Sequence, residues 1–182
     1  MAGGPYHSYT GAHVLRTLAA AVLFLAAAPT RAALFAAVSV EEAARSSDAV
    51  VRGTVLSARG RVTAGGRRVV TDVEIAVASA WKGTPGATVR VVVPGGVTPG
   101  LGMSVDGAPT FEPGEEVVVF LGRAGYAWQV MGLALGKYRV SGADARPAFA
   151  PEDVRPRALA AGERAAGAMP VAELERRVRA AR

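Results

Sequence analysis

Alternating hydrophobic and polar positions dominate the middle of the chain. The longest such run spans residues 67–81, where one set of alternate positions is largely apolar: Val69, Thr71, Val73, Ile75, Val77, Ser79 and Trp81. The positions between them carry charged and small side chains, including Asp72 and Glu74. A period of two over this length predicts a half-buried antiparallel strand.

Shorter segments rich in β-branched residues surround this strand, and glycine or proline stands at most of the junctions. Five of these segments predict further strands: residues 49–57, 88–93, 116–121, 126–131 and 133–140. No segment of crossover-helix length separates them, so a parallel sheet is not expected. The pattern predicts an all-β fold, a small six-stranded antiparallel OB-like barrel, with a β-sandwich as the alternative.

Short helices are predicted before and after the strands of the barrel. The barrel domain, residues 33–142, begins with a helix for which Ser39 and Glu42 have the spacing of a capping box. Residues 143–168 are rich in Ala, Pro and Arg and predict a loosely ordered linker. Residues 169–182 predict a C-terminal helix whose apolar stripe is Val171, Leu174 and Val178.

The first 32 residues have the pattern of a secretion signal. Leu18–Ala28 is a run of 11 apolar residues, which suits a signal-peptide core, whereas a helix that spans a bilayer needs about 20. Small residues at Thr30 and Ala32 predict cleavage after Ala32, with cleavage after Ala28 as an alternative. A membrane anchor or a buried helix is the competing interpretation. The sequence thus predicts a periplasmic or extracellular protein, exported by a signal peptide of residues 1–32.

Composition narrows the chemistry that the exported chain can perform. The protein has no cysteine, and its two histidines, His7 and His13, lie in the segment predicted to be removed. The mature chain would lack the side chain that titrates near neutral pH, the thiolate nucleophile and the usual zinc ligands. It would keep 19 basic and 15 acidic side chains. We therefore predict a protein that is not an enzyme and that uses no metal and no cofactor.

Carboxylates are the remaining candidates for catalysis. Asp72 and Glu74 lie two residues apart on the predicted long strand, so both side chains point to one face and could form a paired-carboxylate site. An ordinary solvated strand face is the favoured interpretation of the same pattern. A carboxylate-dependent hydrolase is therefore kept as an alternative to a non-catalytic protein.

The candidate binding residues fall in two places. Residues 94–115 are rich in glycine and proline, and they also carry large apolar side chains: Val97, Leu101, Met103 and Phe111. A segment of this kind is often functional, although it could instead fold as an extra hairpin across the barrel end. A basic cluster surrounds the first predicted hairpin turn: Arg59, Arg61, Arg67 and Arg68. This cluster could contact an acidic partner, or it could simply keep an exposed hairpin soluble.

Six short motifs follow one another between residues 39 and 140. They are Ser47-Asp-Ala-Val-Val-Arg-Gly-Thr-Val, Val70-Thr-Asp-Val, Ala80-Trp-Lys-Gly, Pro94-Gly-Gly, Pro113-Gly-Glu-Glu-Val-Val-Val-Phe-Leu and Gly136-Lys-Tyr-Arg-Val. Together they resemble an uncharacterised family of small exported bacterial proteins. Their order is also distantly similar to the netrin-like module of tissue inhibitors of metalloproteinases, which is an OB-type barrel. Those inhibitors use an N-terminal cysteine that this chain lacks, so the similarity implies the barrel more than inhibition.

These observations predict an exported, non-catalytic binding or accessory protein of the cell envelope that contacts its partner through residues 94–115, with help from the basic cluster. The expected partner is another exported or envelope protein, with proteases among the candidates. An inhibitor or partner of an exported metalloprotease is the alternative that the distant similarity implies. Nucleic acid is not an expected partner, because no aromatic residues interleave with the arginines of the basic cluster. No stable membrane span is expected after cleavage.

Overall fold

The computed structural model describes residues 35–149 and 153–181. The strands are β1 (Phe35–Ala36), β2 (Ala49–Val62), β3 (Val69–Lys82), β4 (Thr88–Pro94), β5 (Gly96–Thr98), β6 (Leu101–Met103), β7 (Glu116–Ala124), β8 (Ala127–Val130), β9 (Lys137–Ser141), β10 (Asp144–Pro147), β11 (Val154–Arg155) and β12 (Met169–Pro170). The helices are α1 (Val40–Ser46) and α2 (Val171–Ala180), with a 3-10 helix at Leu133–Gly136. The predicted signal peptide, residues 1–32, lies outside the described residues. None of the helices described is long and apolar enough to cross a bilayer.

Five strands close into a barrel. β2 pairs with β3, β3 pairs with β4, and β7 pairs with both β2 and β8, all antiparallel. One parallel pair, Val91 with Trp128, joins β4 to β8 and completes the circuit. Beyond β7 the sheet continues through β9, β10 and β12. The predicted all-β fold with short terminal helices is confirmed, and the closed circuit of strands fits an OB-like barrel. The circuit has five strands and not the predicted six, because β9 pairs with β7 outside it, and its closing pair is parallel.

Two hydrophobic cores lie on opposite faces of the sheet, because β2 and β7 are buried on both sides. Alternate residues of a strand point to opposite faces, so the continuous apolar runs 49–51 and 117–121 supply both cores. The first core fills the barrel: Ala49, Val51, Val55, Val73, Ile75, Val89, Val91, Val93, Val117, Val119, Leu121 and Trp128. The second core lies between the sheet and the helices, and its largest members are Trp81, Phe120, Tyr138 and Leu174.

Helices α1 and α2 pack on each other against the second core. The predicted Ser39 cap is confirmed, since its Oγ accepts a hydrogen bond from the backbone N–H of Glu42 at 3.0 Å. Arg177 of α2 forms a bidentate ion pair with Glu41 of α1, with N–O distances of 2.6 and 2.8 Å. The predicted apolar stripe of α2 is buried as expected: Val171, Leu174 and Val178. These contacts fix the helical layer against the barrel.

The predicted strand at residues 133–140 is wrong in its first half. Gly132 and Leu133 have positive φ angles of 65° and 57°, which end the extended backbone there. A 3-10 helix follows, and the strand begins only at Lys137. A Cβ on Gly136 would lie 2.1 Å from the carbonyl oxygen of Met131, so the turn requires glycine at this position. The apolar alternation in this segment therefore reflects a tight turn and not a strand.

The segment predicted as a loosely ordered linker, residues 143–168, holds more regular structure than its composition indicates. β10 pairs with β9 and with β12. Glu163 accepts hydrogen bonds from Ser39 Oγ at 2.7 Å and from the Arg45 guanidinium at 2.6 Å, which attaches the segment to α1. Sequence reasoning missed these contacts because each partner lies far away along the chain.

Candidate functional site

The long segment 94–115 folds partly as an added hairpin, which is one of the two outcomes considered from the sequence. β5 and β6 pair antiparallel, with Gly96 opposite Met103 and Thr98 opposite Leu101. The base of the hairpin is bonded to β3, because Thr71 Oγ1 donates to the Gly95 carbonyl oxygen at 2.8 Å. The hairpin is therefore fixed on the barrel by backbone and side-chain contacts.

A glycine allows the hairpin to lie against β2. A Cβ on Gly60 would lie 2.1 Å from the carbonyl oxygen of Val97, a distance that real side chains do not adopt. The β5 backbone therefore rests directly on the β2 backbone at this point. Any larger residue at position 60 must move the hairpin away from the barrel.

A groove of about 640 Å³ lies between the hairpin and the chain that returns to β7. Val97, Met103 and Phe111 all line this groove, so the structure brings together three of the four predicted apolar residues. Val97 is 78% exposed, and Leu101 beside the hairpin turn is 41% exposed. Met103 and Phe111 are half-buried, and Phe111 also packs against the barrel core. The accessible apolar surface of the groove is therefore concentrated on the hairpin.

A buried lysine fixes the opposite wall of the groove. Lys137 is fully buried, and its Nζ donates to both carboxylate oxygens of Glu115, at 2.8 and 2.7 Å. It also donates to the carbonyl oxygen of Thr110 at 2.5 Å and lies 4.2 Å from the centre of the Phe111 ring. Burial lowers the pKa of Lys137, and the ion pair with Glu115 opposes that shift. These contacts hold the segment 110–115 against β9.

Sequence reasoning did not single out this lysine as a structural residue. Lys137 and Glu115 are 22 positions apart, and nothing in the local pattern separates a buried lysine from an exposed one. Both residues do belong to the motifs quoted above, Pro113-Gly-Glu-Glu and Gly136-Lys-Tyr-Arg. The presence of opposite charges in these two motifs was the signal that could have indicated an ion pair between them.

The basic cluster lies on the other face of the ribbon formed by β2 and β3. Arg59 is next to Gly60 in β2, and neighbouring residues of a strand point to opposite faces, so Arg59 points away from the hairpin. Arg67 and Arg68 are exposed in the turn between β2 and β3. The structure therefore separates Arg59 from Val97 and its neighbours, although the sequence grouped them as candidates for one function.

Asp72 and Glu74 share one strand face, but the surroundings of Asp72 do not suit a general acid. The Asp72 Oδ2 atom accepts hydrogen bonds from Arg61 at 2.5 Å and from Arg90 at 2.8 Å. Burial raises the pKa of Asp72, but the two arginines outweigh it and hold that pKa below its usual value. A general acid needs the opposite shift. Over the residues that the structure describes, no group of three acidic or histidine side chains is placed to hold a metal ion.

Comparison with known proteins does not assign the chain to a family. No protein-family model matches the chain, and none of the curated proteins is similar enough in sequence to match it. The functional argument therefore depends on the groove, on the basic cluster and on the composition of the chain.

Proposed function

We propose that this protein is an exported, non-catalytic binding or accessory protein of the cell envelope. Its contact surface is the groove beside the β5–β6 hairpin, and its partner is another exported or envelope protein. The observation that carries the proposal is the exposure of Val97 and Leu101 on a hairpin that is bonded to the barrel. Large apolar side chains displayed in this way are typical of protein contact sites.

Two further features support a partner protein over a substrate. The described residues that line the groove are mainly apolar residues and glycines, and three of them carry a hydroxyl group: Thr71, Ser104 and Thr110. The chain after the predicted cleavage site carries no histidine and no cysteine. A rigid, largely apolar groove favours shape-complementary docking, and the composition supplies few groups for ordinary catalysis.

Contact through the hairpin is tested by site-specific photocrosslinking in cells. A photoreactive phenylalanine analogue at position 97 or 101 is expected to capture one identifiable envelope protein, whereas the same analogue at the exposed Ala172 of α2 is not. The purified partner should then bind Val97→Ser/Leu101→Ser at least about tenfold more weakly, because two buried apolar contacts are worth over about 1.4 kcal/mol. Gly60→Val, which displaces the hairpin, should weaken binding as well.

Equal crosslinking from positions 97 and 172 would contradict the proposed surface. So would full affinity of the purified partner for the double serine variant. An exported metalloprotease falls within the proposed class of partner, and mass spectrometry of the crosslinked protein decides whether it is one.

Export is expected to remove residues 1–32. The full chain is produced in a bacterial host, and the intact mass of the protein recovered from the periplasm or the medium is measured. A mass that begins at Ala33 supports a cleaved signal peptide, because small residues precede that bond. Protein that retains Met1 in the membrane fraction would instead indicate an anchor and contradict the proposal.

A further inference from the structure

A second cleft lies at the seam between β4 and β8, where the circuit of strands is weakest, and it adjoins the groove at Val93, Pro94 and Pro109. The pair Val91 and Trp128 alone joins β4 to β8, so none of the described strands pairs with β4 on that side over residues 92–94. A cleft of about 380 Å³ is present at this seam. Its apolar wall consists mainly of Val70, Val92, Pro94, Val130 and Leu133. Divergence of two strands has thus left an accessible apolar site.

Polar groups converge on the rim of this cleft from a strand and a turn. Arg61 comes from β2, and Tyr126 comes from the turn between β7 and β8. The Tyr126 ring is 86% exposed, which is unusual for a side chain of this size. An apolar cleft with a few polar groups at its edge is the usual form of a ligand site.

The basic cluster is continuous with the cleft. Arg59 lies two residues from Arg61 on the same face of β2, which is about 7 Å along a strand. Arg68 directly precedes β3, and its carbonyl oxygen accepts the hydrogen bond from Thr63 N that closes the ribbon. Val70, which lines the cleft, is only two residues further along β3. Asp72 and Glu74 lie on the same face as Arg59, and Asp72 is paired with Arg61. The arginines outnumber these two carboxylates, so the net charge between the turn of the ribbon and the cleft is positive.

Arg59, Arg67 and Arg68 lack an ion pair, unlike most other arginines in the described part of the chain. Many arginines there form ion pairs with a carboxylate: Arg45, Arg52, Arg61, Arg90, Arg139, Arg157, Arg176, Arg177 and Arg179. The side chains of Arg59, Arg67 and Arg68 have no ion pair or hydrogen bond among the described residues. Three unpaired guanidinium groups beside an apolar cleft complement a ligand that carries carboxylates around an apolar anchor.

We propose that the cleft between β4 and β8, together with Arg59, Arg67 and Arg68, binds an acidic polypeptide segment that inserts a large apolar side chain at the seam. An acidic saccharide or a single-stranded nucleic acid would supply charge but no aliphatic anchor for Val92, Val130 and Leu133. The three arginines do not line the β5–β6 groove, and Val97 and Leu101 do not line the cleft, so this proposal can be tested separately from the contact surface proposed above.

The probe is a rhodamine-labelled octapeptide with two central leucines and three aspartates on each side, titrated with the mature protein in fluorescence anisotropy. It is expected to bind more tightly than the same peptide with serines in place of the leucines, and lysines in place of the aspartates should abolish binding. Binding should also weaken with added salt, because the contacts to arginine are solvent-exposed.

Charge-matched variants locate the site. The triple variant Arg59→Gln/Arg67→Gln/Arg68→Gln is expected to bind the aspartate–leucine peptide at least about tenfold more weakly, a loss of about 1.4 kcal/mol. The control Arg146→Gln/Arg155→Gln/Arg164→Gln removes the same charge at exposed arginines elsewhere and should retain affinity. Tyr126→Ser, at a position too exposed to affect folding, should weaken binding through loss of the rim.

Three results would overturn the proposal. They are equal affinity of the two triple variants, equal affinity of the leucine and serine peptides, and binding of polyuronate or single-stranded oligonucleotide in preference to the aspartate–leucine peptide. The variant Val97→Ser/Leu101→Ser should bind the peptide normally, since neither residue lines the cleft. Failure at one surface is therefore distinguishable from failure at the other.

Discussion

Replacing Glu115 by alanine is expected to lower the free energy of unfolding by about 3 kcal/mol, because it leaves a buried ammonium group without its counter-ion. Lys137 is fully buried, and its other hydrogen bond among the described residues goes to the Thr110 carbonyl oxygen. One neutral acceptor does not compensate a charge that has left water. The wall of the groove at 110–115 should loosen at the same time. Urea denaturation followed by tryptophan fluorescence measures the loss, and hydrogen exchange measures the loosening.

The control is Lys137→Met, which removes the charge and keeps a long apolar side chain in its place. It should cost only about 1 kcal/mol, since a buried ion pair is often replaced by apolar residues at little cost. Glu115 would keep its ion pair with Arg139 at 2.9 Å. The double variant should therefore be more stable than Glu115→Ala alone. A larger loss in Lys137→Met than in Glu115→Ala would contradict this account.

The same lysine makes the free energy of unfolding depend on pH, and the sign of this dependence follows from the direction of its pKa shift. Burial lowers the pKa of Lys137 below its usual 10.5. Just below pH 10.5 the unfolded chain therefore holds a proton that the folded chain has released, and the free energy of unfolding rises with pH in this range. Lys137→Met should lack this contribution.

The barrel was predictable because the hydrophobic pattern of each strand indicates which of its faces are buried. The alternation in residues 67–81 matches the burial of Val69, Val73, Ile75 and Trp81 in β3. The continuous apolar run at 117–121 belongs to β7, which is covered on both faces. In both cases the pattern records how many faces of a strand are buried, which is a local property.

The candidate sites were less predictable because they depend on which distant residues meet. The sequence grouped Arg59 with Val97, yet Gly60 places them on opposite faces of one ribbon. The pairing of Lys137 with Glu115, like the attachment of Glu163 to α1, joins segments whose separation in sequence carries no periodic signal. The strand predicted at residues 133–136 was wrong for another reason, since a positive φ at Leu133 is not expected of a non-glycine residue.

Two candidate binding sites adjoin each other on this barrel, where Val93, Pro94 and Pro109 line both. The hairpin offers an apolar groove, whereas the seam between β4 and β8 offers positive charge beside a small apolar cleft. A protein arranged in this way could hold a partner in the groove and an acidic segment at the cleft. The two sets of variants described above separate these activities, because Val97 and Leu101 do not line the cleft and the three arginines do not line the groove.

Replacing Tyr138 by phenylalanine is expected to stabilise the protein, by about 1 kcal/mol at neutral pH. The Tyr138 side chain is buried in the second core, and its hydroxyl has no hydrogen-bond partner among the residues that the structure describes. A buried polar group without a partner costs folding free energy that an isosteric apolar residue does not. The matched control is Tyr126→Phe, which removes a hydroxyl from an exposed ring and should change stability at neutral pH by less than about 0.5 kcal/mol.

The stabilisation by Tyr138→Phe should be larger at alkaline pH. Burial raises the pKa of Tyr138 far above its usual 10.0, so above pH 10 the unfolded chain loses a proton that the folded chain keeps. Stability that is fully present below pH 10 is then lost at up to about 1.4 kcal/mol per pH unit as the pH rises. Denaturation curves at pH 7 and pH 11 should therefore show a larger advantage of Tyr138→Phe at pH 11. An equal or smaller advantage there would mean that the phenol ionises freely in the folded protein.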